Sequence, residues 1–293
     1  MRRPAVVAVW AVALAMATGT GCARLKHWGD RGRDNPSAET VARRQGLSES
    51  AQAAIDRRDL AGARTYLERL VAENTRSAEA HQKMGRVLQL QGWLDGAASE
   101  YRKALELDKD YADALVGLGQ ILHQLGHDAA ALERFAQAIE IDPRKAEAHD
   151  AEGQSFEALG RNAEALASYF RALEIDPTSP PTILRVAALQ MAKGQPEQAL
   201  ARLDQAVELV PEDGEARYRR GLARLATKHP AEAVADLKVA AARLPDRAEV
   251  FLHLAEALAA AKKGGEALAA AEAALKLDPA SADARALAEK LRR

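Results

Sequence analysis

Apolar and polar residues follow a helical period along most of this chain, and the phase of that period resets twice in every 34 residues. Between Ala112 and Lys145, the residues Leu115, Leu118, Ile121, Leu122 and Leu125 make one apolar stripe, which predicts an amphipathic helix. Gly126 stops it. After a turn through His127 and Asp128, a second stripe runs through Ala131, Leu132, Phe135, Ala138 and Ile139. Asp142-Pro143 closes that second helix, because proline cannot continue the hydrogen-bond ladder. The double stripe recurs in seven copies from Arg44 to Ser281, with no residue inserted or deleted. The units are 44–77, 78–111, 112–145, 146–179, 180–213, 214–247 and 248–281.

Small residues keep a fixed phase within the unit. Position 20 is alanine in all seven copies: Ala63, Ala97, Ala131, Ala165, Ala199, Ala233 and Ala267. Position 8 is Ala51, Gly85, Gly119, Gly153, Ala187, Gly221 and Ala255, and position 27 is alanine after Leu70 in the first copy. Small residues at such phases let helix axes approach closely, and large ones at position 24 (Tyr101, Phe135, Tyr169, Leu203, Leu237) then fill the space between units. Two short helices cannot bury their apolar faces alone, so the copies must stack into an array.

This unit resembles the tetratricopeptide repeat (TPR). That family has small residues at positions 8, 20 and 27, a large residue at 24 and proline at 32, here Pro143, Pro177, Pro211, Pro245 and Pro279. Thr75 and Lys109 replace the proline, and Ala271 the large residue, near the ends of the array. The resemblance implies an all-α fold, a right-handed α-solenoid of seven 34-residue helix–turn–helix repeats. Residues 282–293 read as a C-terminal capping helix, with Ala284, Leu287, Ala288 and Leu291 inward and Lys290, Arg292 and Arg293 outward.

The first 22 residues have a different character. Arg2 and Arg3 precede an apolar run, Ala5 to Ala17, followed by Thr18-Gly19-Thr20-Gly21-Cys22. This pattern reads as a secretory signal peptide. Cys22, the chain's single cysteine, stands where a bacterial lipoprotein carries its lipid, although Gly19 occupies the place where that motif usually has leucine. Cleavage after Ala15-Met16-Ala17, or an uncleaved membrane anchor, are the other readings. Residues 23–43 are charged, with Gly29, Gly32 and Pro36 and little apolar period, which predicts a flexible polar tether. The expected address is the bacterial cell envelope, lipid-anchored to the inner or outer membrane and facing the periplasm, with a soluble secreted or periplasmic protein as the alternative.

Chemistry is sparse. A formal net charge of −1, with lysine and arginine spread through every repeat, argues against nucleic acid. Phosphate-binding glycine loops, paired cysteines and a nucleophile elbow are absent from the sequence. His123 and His127 are four apart, but Gly126 ends the helix between them, so no metal site is expected. His81 and His149 share position 4, which points to a recurring packing role. The carboxylates at position 2, including Glu79, Asp113, Glu147, Glu215 and Glu249, sit where a helix dipole stabilises negative charge. No catalytic residue, cofactor or small-molecule substrate is expected.

Function is then expected in the hollow of the solenoid. The family's ligand-facing positions 5, 9 and 12 project onto Gln82, Arg86, Gln89, Gln120, His123, Asp150 and Gln154 in the N-terminal half. In the C-terminal half they give Leu184, Ala188, Tyr218 and Leu222. The family resemblance implies a non-catalytic scaffold that docks a protein or peptide partner there, with roles in envelope assembly, secretion or pilus biogenesis. A carrier for glycan or lipid is the alternative.

Overall fold

A computed structural model describes residues 36–293, so Cys22 and the expected signal segment lie outside the described residues. Among the described residues there are fifteen helices and no strand. The first hairpins are α1 (Ala38–Asp56) with α2 (Leu60–Glu73), α3 (Ala78–Leu90) with α4 (Leu94–Leu107), and α5 (Ala112–Gln124) with α6 (Asp128–Ile141). Then come α7 (Ala146–Ala158) with α8 (Asn162–Ile175), and α9 (Pro180–Ala192) with α10 (Pro196–Leu209). The last are α11 (Gly214–Ala226) with α12 (Pro230–Arg243), and α13 (Ala248–Ala260) with α14 (Gly264–Leu277), followed by α15 (Ala282–Arg292). From α3 onward, every odd-numbered helix starts at the first residue of its 34-residue unit. From α2 onward each helix packs on the next in sequence, and odd-numbered helices of consecutive repeats also touch, as α3 does α5 and α5 does α7. This is the nearest-neighbour packing of a solenoid.

One boundary departs from expectation. The segment read as tether, 23–43, is helical over its last six residues, because α1 begins at Ala38. Ser37 caps it by accepting the Thr40 amide at 3.2 Å, and alanine and glutamate sustain it. The remainder of that segment, up to residue 35, is outside the described residues. At the other end α15 buries Ala284 and Ala288, with Leu287 and Leu291 half-buried against the preceding hairpin.

All seven hairpin turns use one device. Position 15 has positive φ throughout: Gly92, Gly126, Gly160 and Gly194, but also Arg58, Lys228 and Lys262, at φ near +60°. In the third repeat, the Gly126 amide donates to His123 O at 2.9 Å and the His127 amide to Leu122 O at 2.8 Å. This paired closure absorbs carbonyls left open at the helix end. A Cβ is strained in that conformation, so Lys228→Gly is expected to stabilise the protein by about 1 kcal/mol. Urea unfolding followed by circular dichroism checks this; an unchanged or lower midpoint contradicts it.

The close approach of paired helices follows the glycines. A Cβ on Gly119 would lie 2.5 Å from the Phe135 ring, and one on Gly153 2.5 Å from Tyr169. In the second repeat Tyr101 presses on Gly85 of its own unit and on Gly117 of the next, so it does fill the junction between repeats. Aromatic residues at position 24 thus occur with glycine at position 8. Where position 8 is Ala51 or Ala187, position 24 is the slimmer Leu67 or Leu203.

Consecutive repeats are also tied by polar contacts. Where position 4 is arginine, its side chain donates to the carbonyl at position 32 of the preceding repeat: Arg217 Nε to Pro211 O at 2.8 Å, and Arg285 Nη2 to Pro279 O at 2.8 Å. His81 Nε2 and His149 Nε2 reach Thr75 O and Pro143 O in the same way, at 3.2 and 3.1 Å. The shared position of these histidines is therefore structural. Where position 4 is Ile183, Gln205 Nε2 takes over and donates to Pro177 O at 2.9 Å.

The sixth repeat holds a feature that periodicity did not reveal. Arg217, Arg220 and Arg224 all turn onto Asp236 of α12, whose side chain is 0% exposed. Asp236 accepts from Arg217 Nη1 at 2.9 Å, from Arg220 Nε and Nη2 at 2.8 and 2.6 Å, and from Arg224 Nη1 at 2.8 Å. Arg220 Nη1 also reaches Asp204 of α10 at 3.0 Å, which carries the network into the fifth repeat. These hydrogen bonds hold the Arg220 guanidinium's pKa above its ordinary value.

Candidate functional site

The projected groove residues separate into three groups. Gln82, Arg86, Gln89 and Gln120 converge on one polar pocket of about 180 Å³ spanning α1, α3, α5 and α7. Gln52, Ile55, Lys83, Tyr101, Asp113, Gly117 and Glu147 complete its walls. Inside it a directed chain of hydrogen bonds crosses three repeats. Tyr101 Oη donates to Gln89 Oε1 at 2.9 Å, Gln89 Nε2 to Gln120 Oε1 at 3.4 Å, and Gln120 Nε2 to Glu147 Oε1 at 2.9 Å. Burial pushes the Tyr101 hydroxyl's pKa well above its ordinary value, so this end of the chain stays a donor at physiological pH. Each amide keeps a second N–H and a second lone pair free for a guest. Arg86 is exposed at the mouth of the pocket.

Ala188 and Leu222 belong to a second subsite, an apolar socket of about 220 Å³ between the fifth and sixth repeats. Ala187, Met191 and Leu203 form the rest of its apolar lining, and Arg219 lies at its edge. Arg219 Nε donates to Glu215 Oε1 at 2.5 Å, while Arg247 Nη1 donates to the other oxygen of Glu215 at 2.6 Å. Burial opposes ionisation of Glu215, but those two guanidiniums outweigh it and hold its pKa below the ordinary range.

The remaining projected residues serve the scaffold. His123 Nδ1 lies 2.5 Å from Asp128 Oδ1 and 3.4 Å from Ser155 Oγ. Both oxygens approach the same ring nitrogen and Ser155 is fully buried, so this trio cannot relay a proton from serine through imidazole to carboxylate. Asp150 accepts from Thr182 Oγ1 at 2.7 Å and from Gln154 Nε2 at 2.8 Å, which fastens α7 to α9. Leu184 is half-buried and packs against core clusters of the fourth to sixth repeats. Tyr218 is buried, with its Oη 3.1 Å from His253 Nδ1 and Arg247 stacked 5.1 Å over its ring. The C-terminal half of the hollow is therefore less apolar than its leucines suggest.

The position-2 carboxylates do lie in first helical turns. They have a further role, because Asp113 pairs with Lys145 and Glu215 with Arg247, each joining the first helix of a repeat to that repeat's last residue, just before the next repeat begins. Asp113 and Glu147 also wall the polar pocket. Their spacing, one helical turn before position 5, was the available signal. A larger cavity of about 690 Å³ lies between α4 and α6, an open furrow floored by Leu105, Leu115 and Ile141. Among the described residues, no group of three or more histidine, cysteine, aspartate or glutamate side chains is arranged to hold a metal ion. Among them too, no helix is long and apolar enough to cross a membrane.

Together these features define a repeat scaffold whose polar pocket and apolar socket are lined mainly by odd-numbered helices. Three family models match, all described as tetratricopeptide or TPR repeats: residues 157–225, 85–126 and 126–180. The chain is a tetratricopeptide repeat protein. Among solved structures, YrrB, "a TPR protein with an unusual peptide-binding site", superposes with a TM-score of 0.60 at 24% identity, over 66% of this chain and 99% of its own. Pseudomonas aeruginosa PilF gives 0.66 at 18% identity, over 75% and 99%. PilW, "widely conserved type IV pilus biogenesis factor", gives 0.61 at 20% identity, over 72% and 97%. These likenesses carry the fold. No curated protein matches the chain.

Proposed function

We propose that this protein is a non-catalytic adaptor of the bacterial cell envelope, tethered through a lipid on Cys22, whose inner groove holds an extended segment of a partner protein. The amide chain Tyr101–Gln89–Gln120–Glu147 carries the reading of the groove. Its glutamines are pre-oriented at both ends, so a peptide backbone meets donors and acceptors already fixed in place. YrrB, with the same fold, has a peptide-binding site, which supports this use of the surface. The basic start, apolar run and small residues before Cys22 support the address.

A photocrosslinker at Gln82 in the groove is expected to give partner adducts that the same group at exposed Glu106 does not. Those adducts are lost when Ala188→Glu and Leu222→Glu are combined, with helicity retained. Identical adducts from both positions would overturn the groove. In the same cells Cys22→Ser is expected to abolish palmitate labelling and release the protein from membranes. Equal labelling of both forms would remove the anchor.

A further inference from the structure

The repeats permit a comparison of one location across units. In repeats 2, 3 and 4 the space beside position 8 is filled by the chain's own aromatic ring from position 24: Tyr101, Phe135 and Tyr169. Tyr101 and Tyr169 extend far enough for their hydroxyls to reach position 12, at Gln89 and Glu157, both at 2.9 Å. In repeat 5 position 24 is Leu203, which is several atoms shorter, and position 8 is Ala187. The apolar socket of about 220 Å³ is bounded by those two residues, by Met191 at position 12 and by Arg219 at position 6 of the next repeat. In repeat 2 the same four positions are Gly85, Tyr101, Gln89 and Gly117, and the phenol ring occupies the middle.

Resting on the groove reading above, the geometry points to an aromatic side chain of the bound segment as the occupant of this socket, in the place that the chain's own ring takes in repeats 2, 3 and 4. The size is sufficient, since about 220 Å³ exceeds the roughly 150 Å³ of an apolar cavity known to take up benzene. The charge fits as well. Arg219 borders the socket, and a guanidinium over an aromatic face is favourable. The molecule already uses that contact elsewhere, with Arg64 4.5 Å over Trp93 and Arg161 4.5 Å over Phe156. An aliphatic side chain would fill the space without using the cation, and a carboxylate would be desolvated against five apolar residues.

The test uses the array labelled with 13C at the methionine methyl groups. Met191 lines the socket and Met84, a core residue of α3, is the internal control. The probes are N-acetyl-phenylalanine amide, N-acetyl-leucine amide and N-acetyl-glutamate amide. The phenylalanine probe is expected to move the Met191 methyl upfield by ring current and to saturate, leaving Met84 in place, with the other two binding several-fold more weakly. Ala187→Gly combined with Leu203→Phe copies the pairing of repeat 3 into repeat 5 and plugs the socket from within. That variant is expected to keep its helicity and to bind the probe on the order of tenfold more weakly, the equivalent of about 1.4 kcal/mol. Should it fold poorly, Arg219→Gln, which leaves the core intact, still lowers phenylalanine affinity selectively over leucine. No shift at Met191, equal shifts at Met84, or equal affinity for all three probes would overturn the proposal. Crosslinking from Gln82 separates the two claims, because adducts there with a silent Met191 retain the groove and discard the socket. A responsive Met191 without groove adducts does the reverse.

Discussion

Replacing Asp236 by alanine is expected to destabilise the array by about 3–5 kcal/mol, the cost of stranding buried charge. The aspartate is fully buried and serves three arginines, so its removal leaves three guanidiniums facing one another with their main acceptor gone. Their mutual repulsion and lost hydrogen bonds both act in a region from which water is largely excluded. The network as a whole is a different matter. Ion clusters of this kind are often replaceable by apolar groups without loss. The seventh repeat supplies the replacement set, because the same four positions there hold Phe251, Leu254, Leu258 and Ala270. The fourfold variant Arg217→Phe, Arg220→Leu, Arg224→Leu, Asp236→Ala is therefore expected to match or exceed the parent. Urea denaturation of the three proteins decides the point. If Asp236→Ala melts like the parent, the network is dispensable; if the fourfold variant is as unstable as the single one, the loss comes from shape and not from unpaired charge.

Gly119→Ala is expected to cost about 1–3 kcal/mol, because its Cβ would overlap the ring of Phe135. Alanine is favoured over glycine in a helix by roughly 0.5–1 kcal/mol, so a net loss means that the clash prevails. Phe135→Leu should relieve it, since Ala51 with Leu67 and Ala187 with Leu203 are native pairs at these two positions. The double-mutant cycle is expected to show a coupling of about 1 kcal/mol or more, and additivity within error would mean that the two positions do not read each other.

The architecture was legible because close helix approach leaves few choices. Only a small residue fits at position 20, and positive φ at position 15 favours glycine, which four of the seven repeats have, so both phases can be followed through unrelated surface sequence. The start of α1 was hidden because its first turns have no apolar stripe and rest on the Ser37 cap and intrinsic propensity. The groove was half legible. Positions 5, 9 and 12 did lead to Gln82, Arg86, Gln89, Gln120, Ala188 and Leu222. They failed at His123 and Tyr218, whose partners, Asp128 and His253, turn them into the scaffold. Phase says which way a side chain leaves its helix, and the neighbours decide whether it arrives in solvent. The Asp236 network escaped for the same reason, since three arginines on one helix resemble a solvated face until an acid is placed beneath them.

Among the described residues helix packing is between neighbours in the array, and this also shapes how the array moves. Where packing is of this nearest-neighbour kind, the ends can open while the middle stays closed. The bulkiest enclosed rings, Tyr101, Phe135 and Tyr169, sit in α4, α6 and α8, so amide protons there should exchange last with solvent. On the proposed groove reading, a guest lying along it would supply a long-distance connection, acting as a strut that makes separate hairpins open and close together.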